Sequence, residues 1–306
     1  MHEMLNASDF KPVSLGDRDL FRRHYERFPP VHSDNTFTNM VCWNHYAHYK
    51  YAYLEDNIVI SSTIEGERHY RPPIGPHSPE LLADILDLAA NDNSSNLPFE
   101  ILGSESKDWI SSLYPGLNFY PERDYFEYVY LASDLADLAG KGYATIRRQL
   151  NQFQKNCSPL IEPITENNVP DVKEFLDKWC EWRDCDSETM LSNEKAAILF
   201  ALDHYSELEI MGLAIRVKDK IGAISIFEGL SEDTALVHFE KGLMDCRGIY
   251  RAINAETAKL LSRDYIYINR ESDMGVEGIR EAKMRYHPDH MVEVYFIKRD
   301  ELKNLA

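Results

Sequence analysis

Residues 234–269 have the sequence TALVHFEKGLMDCRGIYRAINAETAKLLSRDYIYIN, which is the most informative segment for predicting the fold. Its two ends, TALVHFE and YIYIN, are rich in apolar residues, which predicts two strands. The segment between them has the spacing of a helix. Because one helix joins the two strands, we expect them to be parallel neighbours in a right-handed crossover.

The elements around this crossover predict a mixed α+β domain. A strand, two helices and a strand hairpin precede it, and the hairpin turns at Lys218-Asp219-Lys220. A helix over residues 274–286 and a last strand over 291–302 follow it. From residue 158 onward the predicted order is therefore β, α, α, β, β, β, α, β, α, β.

The first half of the chain gives nearly the same order without obvious sequence repetition. Residues 1–132 predict α, α, β, β, β, α, β, α, β, including a helix that starts at Ser78 and Pro79. The length of 306 residues also favours two domains over one. We therefore expect tandem domains of one α+β fold at 1–132 and 158–306, with a linker helix in 133–157.

The predicted linker helix is basic, although the protein as a whole is acidic. The chain has 51 acidic and 33 basic residues and a net charge of −18, which argues against general nucleic-acid binding. The segment KGYATIRRQLNQFQKN carries Lys141, Arg147, Arg148 and Lys155 and no acid. It is either a linker with a solvated basic face or a surface that binds an anionic donor.

Composition favours a soluble, cytoplasmic protein. The five cysteines are odd in number and contain no CxxC pair, so we expect a reducing compartment and no disulfide framework. The N-terminus lacks a signal-peptide pattern, and no apolar run is long enough to span a membrane, so no stable membrane insertion is expected. No metal site is expected, because His287 and His290 lack a carboxylate partner that the sequence could place.

Three segments carry a resemblance to a known family: SDNTFTNMVCW (33–43), HFEKGLMDCRGIYRAIN (238–254) and INRESDMGVEGIREAKMRYHP (268–288). Together they resemble an uncharacterised prokaryotic family that is similar to the C-terminal domain of phosphatidylglycerol lysyltransferase. The resemblance covers nearly the whole chain. It implies two tandem GNAT-like (acyl-CoA N-acyltransferase-like) domains, with a degenerate N-terminal domain and the site in the C-terminal one.

The same resemblance implies a class of reaction. The related enzymes move an aminoacyl group from aminoacyl-tRNA to an amine or a hydroxyl. The lysyltransferases also have long apolar N-terminal regions, which this sequence does not show. We therefore expect a soluble acceptor in place of a lipid.

The loop before the crossover helix is the predicted donor site. In GNAT enzymes this loop has the pattern R/Q-x-x-G-x-G/A and binds the pyrophosphate of coenzyme A at a helix N-terminus. Here Tyr250 occupies the second glycine position, so coenzyme A is expected to bind weakly. The loop could hold another anion, such as a tRNA phosphate, or be a helix start with incidental arginines. The predicted donor-binding residues are Arg147, Arg148, Arg247, Gly248 and Arg251.

Polar residues at the ends of both crossover strands predict the acceptor site. Acyl transfer needs a base that takes the proton of the nucleophile, and Glu240 is the candidate. His238 lies two residues away on the same strand, so both are expected on one face. Because ligands often lie at the carboxyl ends of parallel strands, Glu240, Arg270 and Glu271 are expected in one cleft. There the arginine would hold a carboxylate and the acids an ammonium.

The helix after YIYIN supplies further candidates. Asp273 is expected to cap it before Met274. GNAT enzymes often use a tyrosine of this helix as the general acid, which makes Tyr286 the candidate, with packing before Pro288 as the alternative. The predicted substrate-binding residues are His238, Asn269, Arg270, Glu271 and Lys283.

These features predict an aminoacyl- or acyltransferase that uses aminoacyl-tRNA or acyl-coenzyme A as co-substrate. The acceptor would be a small-molecule amine or an amino acid, and tRNA is the candidate macromolecular partner. Two alternatives stay open. One is a non-catalytic protein that binds a small molecule or a peptide, and the other is a coenzyme A-dependent N-acetyltransferase, which Tyr250 disfavours.

Overall fold

The computed structural model describes residues 4–243 and 246–305 and contains two seven-stranded sheets with helices packed on them. The chain divides into two compact units. The first contains the described residues up to Phe126 and from Val292 onward, and the second is Glu127–Met291. Both sheets mix parallel and antiparallel strands, so the predicted α+β class is confirmed.

Both units contain helices and strands. The helices, in chain order, are α1 (Arg18–Tyr25), α2 (Phe37–Cys42), α3 (Asn44–Ala47), α4 (Pro79–Asn91), α5 (Ser104–Leu113), α6 (Ala132–Asp137), α7 (Ala144–Cys157), α8 (Val169–Arg183), α9 (Thr189–Asp203), α10 (Tyr205–Leu208), α11 (Ile249–Leu261), α12 (Glu277–Met284) and α13 (Arg299–Lys303). The strands are β1 (Lys11–Pro12), β2 (Lys50–Leu54), β3 (Asn57–Ile64), β4 (Glu67–Tyr70), β5 (Phe99–Gly103), β6 (Tyr120–Pro121), β7 (Glu127–Leu131), β8 (Leu160–Pro163), β9 (Met211–Val217), β10 (Lys220–Gly229), β11 (Thr234–Gly242), β12 (Tyr267–Ser272), β13 (His290–Val292) and β14 (Val294–Ile297). Within the described ranges, every helix is too short or too polar to span a membrane.

The first unit is built on a sheet with the order β1-β2-β3-β4-β5-β14-β6. β4 and β5 are parallel, and α4 joins them. This helix begins after Ser78, whose hydroxyl accepts a hydrogen bond from the Leu81 N–H at 3.2 Å, so the predicted cap is confirmed. The apolar side of α4 packs on the sheet in a core that includes Val59, Leu81, Leu82, Ile85, Phe99 and Leu102.

The second unit is built on a sheet with the order β13-β7-β12-β11-β10-β9-β8. β11 and β12 are parallel and are joined by α11, which confirms the predicted crossover. β9 and β10 form the predicted hairpin. One face of the sheet, here called the α11 face, is covered by α6, α7 and α11. Its core includes Leu135, Ile146, Phe153, Phe227, Val237, Ile253 and Ile268.

Each sheet contains a strand that the sequence analysis assigned to the other half of the chain. β7 lies in the predicted first domain but pairs with β12 in the second sheet. The predicted last strand is instead β13, β14 and α13, and β14 lies between β5 and β6 in the first sheet. The unit boundaries therefore fall at 126 and 292, not at 132 and 158. The order of elements could not show this, because an antiparallel partner can come from any part of the chain.

The basic segment predicted as a linker is part of the second unit. Ile146 and Phe153 of α7 are buried against the α11 face. The polar residues of α7 remain on its outer side, and Arg148 and Lys155 are exposed. The helix is therefore one layer of the second unit, with a basic outer surface.

The expectation of no disulfide framework is wrong for this structure, which pairs four of the five cysteines. Cys157 at the end of α7 is bonded to Cys246 just before α11, with Cα atoms 6.4 Å apart. Cys180 is bonded to Cys185, with Cα atoms 5.1 Å apart. The second pair was not predicted because a continuous helix would separate the two cysteines. In the structure α8 ends at Arg183, and the next residue, Asp184, has φ +56° and reverses the chain toward Cys180. Cys42 is buried.

Candidate functional site

The candidate site is the opening between β11 and β12. Among the described residues, 234–236 of β11 pair with 267–269 of β12. Beyond these residues β11 stays paired with β10 as far as Gly242, while β12 continues to Ser272 beside β7. The carboxyl ends of two parallel strands thus separate, which is where open α/β sheets commonly bind ligands.

A β-bulge at His238 changes the direction of the side chains that follow it. Val237 lies opposite Phe227 and Phe239 lies opposite Ile226, so His238 is the extra residue of β11. As a result Glu240 lies on the α11 face with Val237. His238 instead contacts Glu228, the residue after the core residue Phe227, on the other face. The expectation that His238 and Glu240 share a face is therefore wrong, because strand alternation fails at a bulge.

On the α11 face, Glu240 and Arg270 form an ion pair across the strand opening. Glu240 Oε2 accepts a hydrogen bond from Arg270 Nη2 at 2.5 Å, and the two side chains are 12% and 16% exposed. The guanidinium lies 6.0 Å from the ring centre of Tyr130 and 5.4 Å from that of Tyr286. With its amide oxygen turned toward the guanidinium, Asn254 of α11 accepts from Arg270 Nη1 at 2.7 Å. The ion pair is thus enclosed by two aromatic rings and one amide.

Tyr286 belongs to the same cluster. Its side chain is buried, and its backbone carbonyl accepts a hydrogen bond from the Tyr143 hydroxyl at 2.8 Å. Burial raises the pKa of the Tyr286 phenol, although the neighbouring Arg270 and Arg251 act to lower it. The phenol is therefore protonated at neutral pH. The structure brings together the predicted base, the predicted acid and Arg251 of α11.

On the opposite face, His238 lies between two carboxylates. Its Nε2 is 2.8 Å from Glu228 Oε1, and its Nδ1 is 3.2 Å from Glu271 Oε1. Burial alone would lower the pKa of His238, but the two carboxylates outweigh it and raise that pKa to about 10. Both ring nitrogens therefore donate at neutral pH, and the imidazolium cannot accept a proton from a nucleophile.

The predicted cleft containing Glu240, Arg270 and Glu271 together is not formed. Glu240 and Arg270 meet on the α11 face, whereas Glu271 contacts His238 on the other face. The physical reason is the alternation along β12, together with the positive φ of Glu271 (58°) and the bulge in β11. Asn269 is also placed apart from the ion pair: it is fully buried, and its Nδ2 donates to Glu127 at 2.7 Å.

Lys283 and Asp273 hold the end of β12 in place. Lys283 Nζ donates to the carbonyl oxygens of Arg270, Glu271 and Ser272 at 2.6, 2.9 and 2.6 Å, and burial lowers its pKa to about 8. Its three donors are thus used on the backbone, and we assign it a structural role in place of the predicted substrate contact. Asp273 is not the helix cap that the sequence predicted, because α12 begins at Glu277. Its carboxylate accepts from the Gly275 N–H and from Arg280, each at 2.9 Å.

The predicted donor residues lie around the start of α11. Arg147 donates to the carbonyl oxygens of Leu138 and Gly140, so it binds the segment between α6 and α7 to the first turn of α7. Arg148 and Arg247 are exposed. Gly248 has φ +100°, and a Cβ there would lie 3.1 Å from the Gln149 carbonyl oxygen, so glycine allows α7 to pack closely on the start of α11.

Tyr250 fills space beside the same helix start. Its hydroxyl accepts a hydrogen bond from Trp179 Nε1 at 3.2 Å. A Cβ added at Gly242 would lie 3.3 Å from the Tyr250 ring, so the ring packs directly on the end of β11. The side chain that interrupts the glycine pattern is therefore a packed part of the structure, although it remains 37% exposed.

Two residues that were not predicted from the sequence line the site from the helix side. Asn254 and Thr257 of α11 are 5% and 3% exposed and face the ion pair. They occupy positions three residues apart on the buried side of the helix, where apolar residues are usual. A polar residue in the apolar stripe of the crossover helix was the signal that could have identified them.

The first unit contains its own buried polar cluster. Arg71 is 2% exposed, and its Nη1 donates to the Asp34 carbonyl at 2.7 Å and to Asn35 Oδ1 at 2.9 Å. Glu100 of β5 lies 3.2 Å from His69, and burial raises the pKa of its carboxyl. These groups bond mainly to each other and to the backbone, which favours a structural role.

Comparisons with known proteins agree with this architecture. A family model described as "Phosphatidylglycerol lysyltransferase, C-terminal" matches residues 25–298. A solved structure of a conserved protein of unknown function from Bacteroides thetaiotaomicron is 28% identical, with a TM-score of 0.87 over 94% of this chain and 99% of that one. A search of curated proteins finds no match.

Two more distant structures are similar in fold. The C-terminal domain of a putative lysylphosphatidylglycerol synthetase from Agrobacterium fabrum is 13% identical, with a TM-score of 0.67 over 95% of this chain and 96% of that one. L-PGS from Bacillus licheniformis is 11% identical, with a TM-score of 0.66 over 95% and 93%. The predicted GNAT-like α+β fold class is confirmed, whereas the repetition of one fold in the two units stays a prediction.

Proposed function

The chain belongs to the family of the phosphatidylglycerol lysyltransferase C-terminal domain, as the resemblance predicted, and on this premise we propose that it is an aminoacyltransferase. The proposed donor is aminoacyl-tRNA, and the proposed acceptor is the amine or hydroxyl of a soluble small molecule such as an amino acid. The proposed location is the cytoplasm, where aminoacyl-tRNA is made.

The position of Glu240 is the observation that carries this proposal. Its carboxylate lies at the opening between β11 and β12, with one oxygen held by Arg270. In the proposed reaction the acceptor nitrogen or oxygen attacks the ester carbonyl carbon of the aminoacyl group, and Glu240 takes the proton of the nucleophile. The bond between that carbon and the ribose oxygen then breaks.

Tyr286 is the proposed general acid. Its phenol is protonated because burial raises its pKa, and it lies beside Arg270 in the same cluster. It would donate its proton to the released ribose oxygen, and the proton held by Glu240 would restore the phenol. The reaction then needs no further proton source.

The start of α11 supports a donor other than coenzyme A. The Tyr250 ring packs on Gly242, and α7 lies directly on Gly248, so the space that a pyrophosphate would need is reduced. Arg148 and Arg247 are exposed nearby and could contact the phosphates of an acceptor stem. Arg147 is excluded from this role because its guanidinium bonds to the backbone.

A transfer assay with two donors tests the proposal. The protein is incubated with small amines and amino acids and either labelled aminoacyl-tRNA or labelled acetyl-coenzyme A. We expect label to move from the tRNA to a small acceptor, with no transfer from acetyl-coenzyme A. Arg148→Ala with Arg247→Ala should weaken tRNA binding and reduce its salt dependence.

Either of two results would replace the proposal. Turnover of acetyl-coenzyme A would show an N-acetyltransferase. No transfer from any charged tRNA, together with tight binding of a small molecule, would show a binding protein on the same fold.

A further inference from the structure

A small cavity lies against Glu240 in the second unit. It has a volume of about 10 Å³ and is lined by Val237, Glu240, Asn254, Thr257, Ile268 and Arg270, among others. A volume near 10–15 Å³ is about the space that one water molecule requires. Four of these residues carry polar side chains, whereas cavities that stay dry are apolar.

Two of the residues that line this cavity each carry a buried polar atom that has no partner among the described residues. Glu240 Oε1 and Thr257 Oγ1 each lack a hydrogen bond within residues 4–243 and 246–305, although the other carboxylate oxygen of Glu240 is bonded to Arg270. Buried polar groups in native proteins are nearly always hydrogen-bonded, and a carboxylate oxygen is among the most costly to leave unpaired. A hydroxyl and a carboxylate oxygen at one cavity are the partners that a single water can satisfy together.

We propose that one ordered water occupies this cavity, donates a hydrogen bond to Glu240 Oε1 and is hydrogen-bonded to Thr257 Oγ1. Thr257 is then a positioning residue for Glu240. The carboxylate is held at both oxygens, by Arg270 on one and by the water on the other. Its plane is fixed relative to the strand opening. The proposed water is present in the protein without substrate, so its test does not depend on the proposed reaction.

The substitution Thr257→Val tests whether the water is present. Its expected effect on Tm has opposite signs for a filled and an empty cavity. Valine has nearly the shape of threonine but no hydroxyl. If the water is present, valine removes one of its partners and weakens its hold on Glu240, so Tm should fall by about 2–4 °C. If the cavity is empty, valine removes an unsatisfied buried hydroxyl, and Tm should stay the same or rise.

Two further variants serve as controls for Thr257→Val. Thr257→Ser keeps the hydroxyl and should retain more of the wild-type Tm than Thr257→Val. Ser225 also has a buried hydroxyl that bonds to none of the described residues, but it does not line the cavity. Ser225→Ala should therefore leave Tm unchanged or raise it, since only an unsatisfied group is lost.

A crystal structure of the wild-type protein, at a resolution that shows ordered waters, decides the matter even if a variant fails to fold. We expect density for a water within hydrogen-bonding distance of Glu240 Oε1 and Thr257 Oγ1. An empty cavity would overturn the proposal. So would a Thr257 hydroxyl that bonds instead to the backbone carbonyl four residues earlier in α11.

Discussion

At the scale of single residues, the ion pair between Glu240 and Arg270 determines how the site behaves. Both side chains are largely buried, so each charge depends on the other for its stability. The aromatic rings of Tyr130 and Tyr286 and the amide of Asn254 enclose the guanidinium. The same residues that hold the proposed base therefore also contribute to the stability of the second unit.

Replacing Arg270 with methionine should destabilise the protein strongly. Removing one partner of a buried pair leaves an uncompensated charge, which typically costs about 3–5 kcal/mol. Arg285→Met is a suitable control, because Arg285 pairs with Glu281 at 62% and 60% exposure and surface pairs contribute little. Urea unfolding of both variants measures the difference. Equal midpoints for the two variants would contradict the burial of the Arg270 pair.

His238 should make stability depend on pH in the alkaline range. Its folded-state pKa of about 10 lies above the ordinary value of 6.5, so the folded state favours the charged ring. This contribution is fully present below about pH 6.5 and is lost as pH rises through about 10. Unfolding free energies of wild-type protein and His238→Gln, measured from pH 6 to 10, should converge as pH rises. A difference that is constant over this range would contradict the imidazolium.

The sequence identified most residues of the site but not their grouping. Glu240, Arg270 and Tyr286 were predicted from their places at strand and helix ends, and the structure brings them together. His238 was grouped with Glu240 because strand alternation was assumed to be regular, and Glu271 was grouped with Arg270 because both lie at the carboxyl end of one strand. The bulge at His238 interrupts the alternation along β11, and a single sequence does not reveal a bulge that has no glycine.

At the scale of elements, α7 and the start of α11 form one packed layer. Gly248 lets the two helices approach closely, and the bond between Cys157 and Cys246 connects the end of α7 to the loop before α11. The basic character of α7 was visible in the sequence, but its packing was not, because a basic amphipathic helix predicts a linker equally well. The buried residues Ile146 and Phe153 distinguish the two cases.

Gly248→Ala should destabilise this layer. Alanine would place a Cβ 3.1 Å from the Gln149 carbonyl oxygen at a φ of +100°, which L-residues rarely adopt, and the expected cost is about 1–3 kcal/mol. Gly278→Ala is the matched control, since a Cβ at this exposed position of α12 meets no atom of the described residues within 4 Å. It should be neutral or stabilising, because alanine favours a helix over glycine. Thermal unfolding that ranks the two variants in the opposite order would contradict the packing of α7 on α11.

At the scale of the whole molecule, the sequence predicted two α+β units but assigned two strands to the wrong unit. The periodicity of each element was sufficient to predict the crossover β11–α11–β12 and the hairpin of β9 and β10. The pairing of β7 with β12 and of β14 with β5 depends on contacts between distant segments, which no local pattern encodes. That the two units superpose stays a prediction. It is supported by the parallel pair joined by one helix that each unit contains.

The rate of aminoacyl transfer by Glu240→Gln shows whether Glu240 is the base of the proposed reaction. The substitution keeps the size of the side chain but removes the base, so transfer from aminoacyl-tRNA to its acceptor should slow by about 10²–10⁴. Glu256→Gln on α11 is the matched control, because Glu256 pairs only with Lys259 on the helix surface in the described structure. It should transfer at the wild-type rate. Transfer by Glu240→Gln at the wild-type rate, with the protein folded, would contradict the assignment of Glu240 as the base.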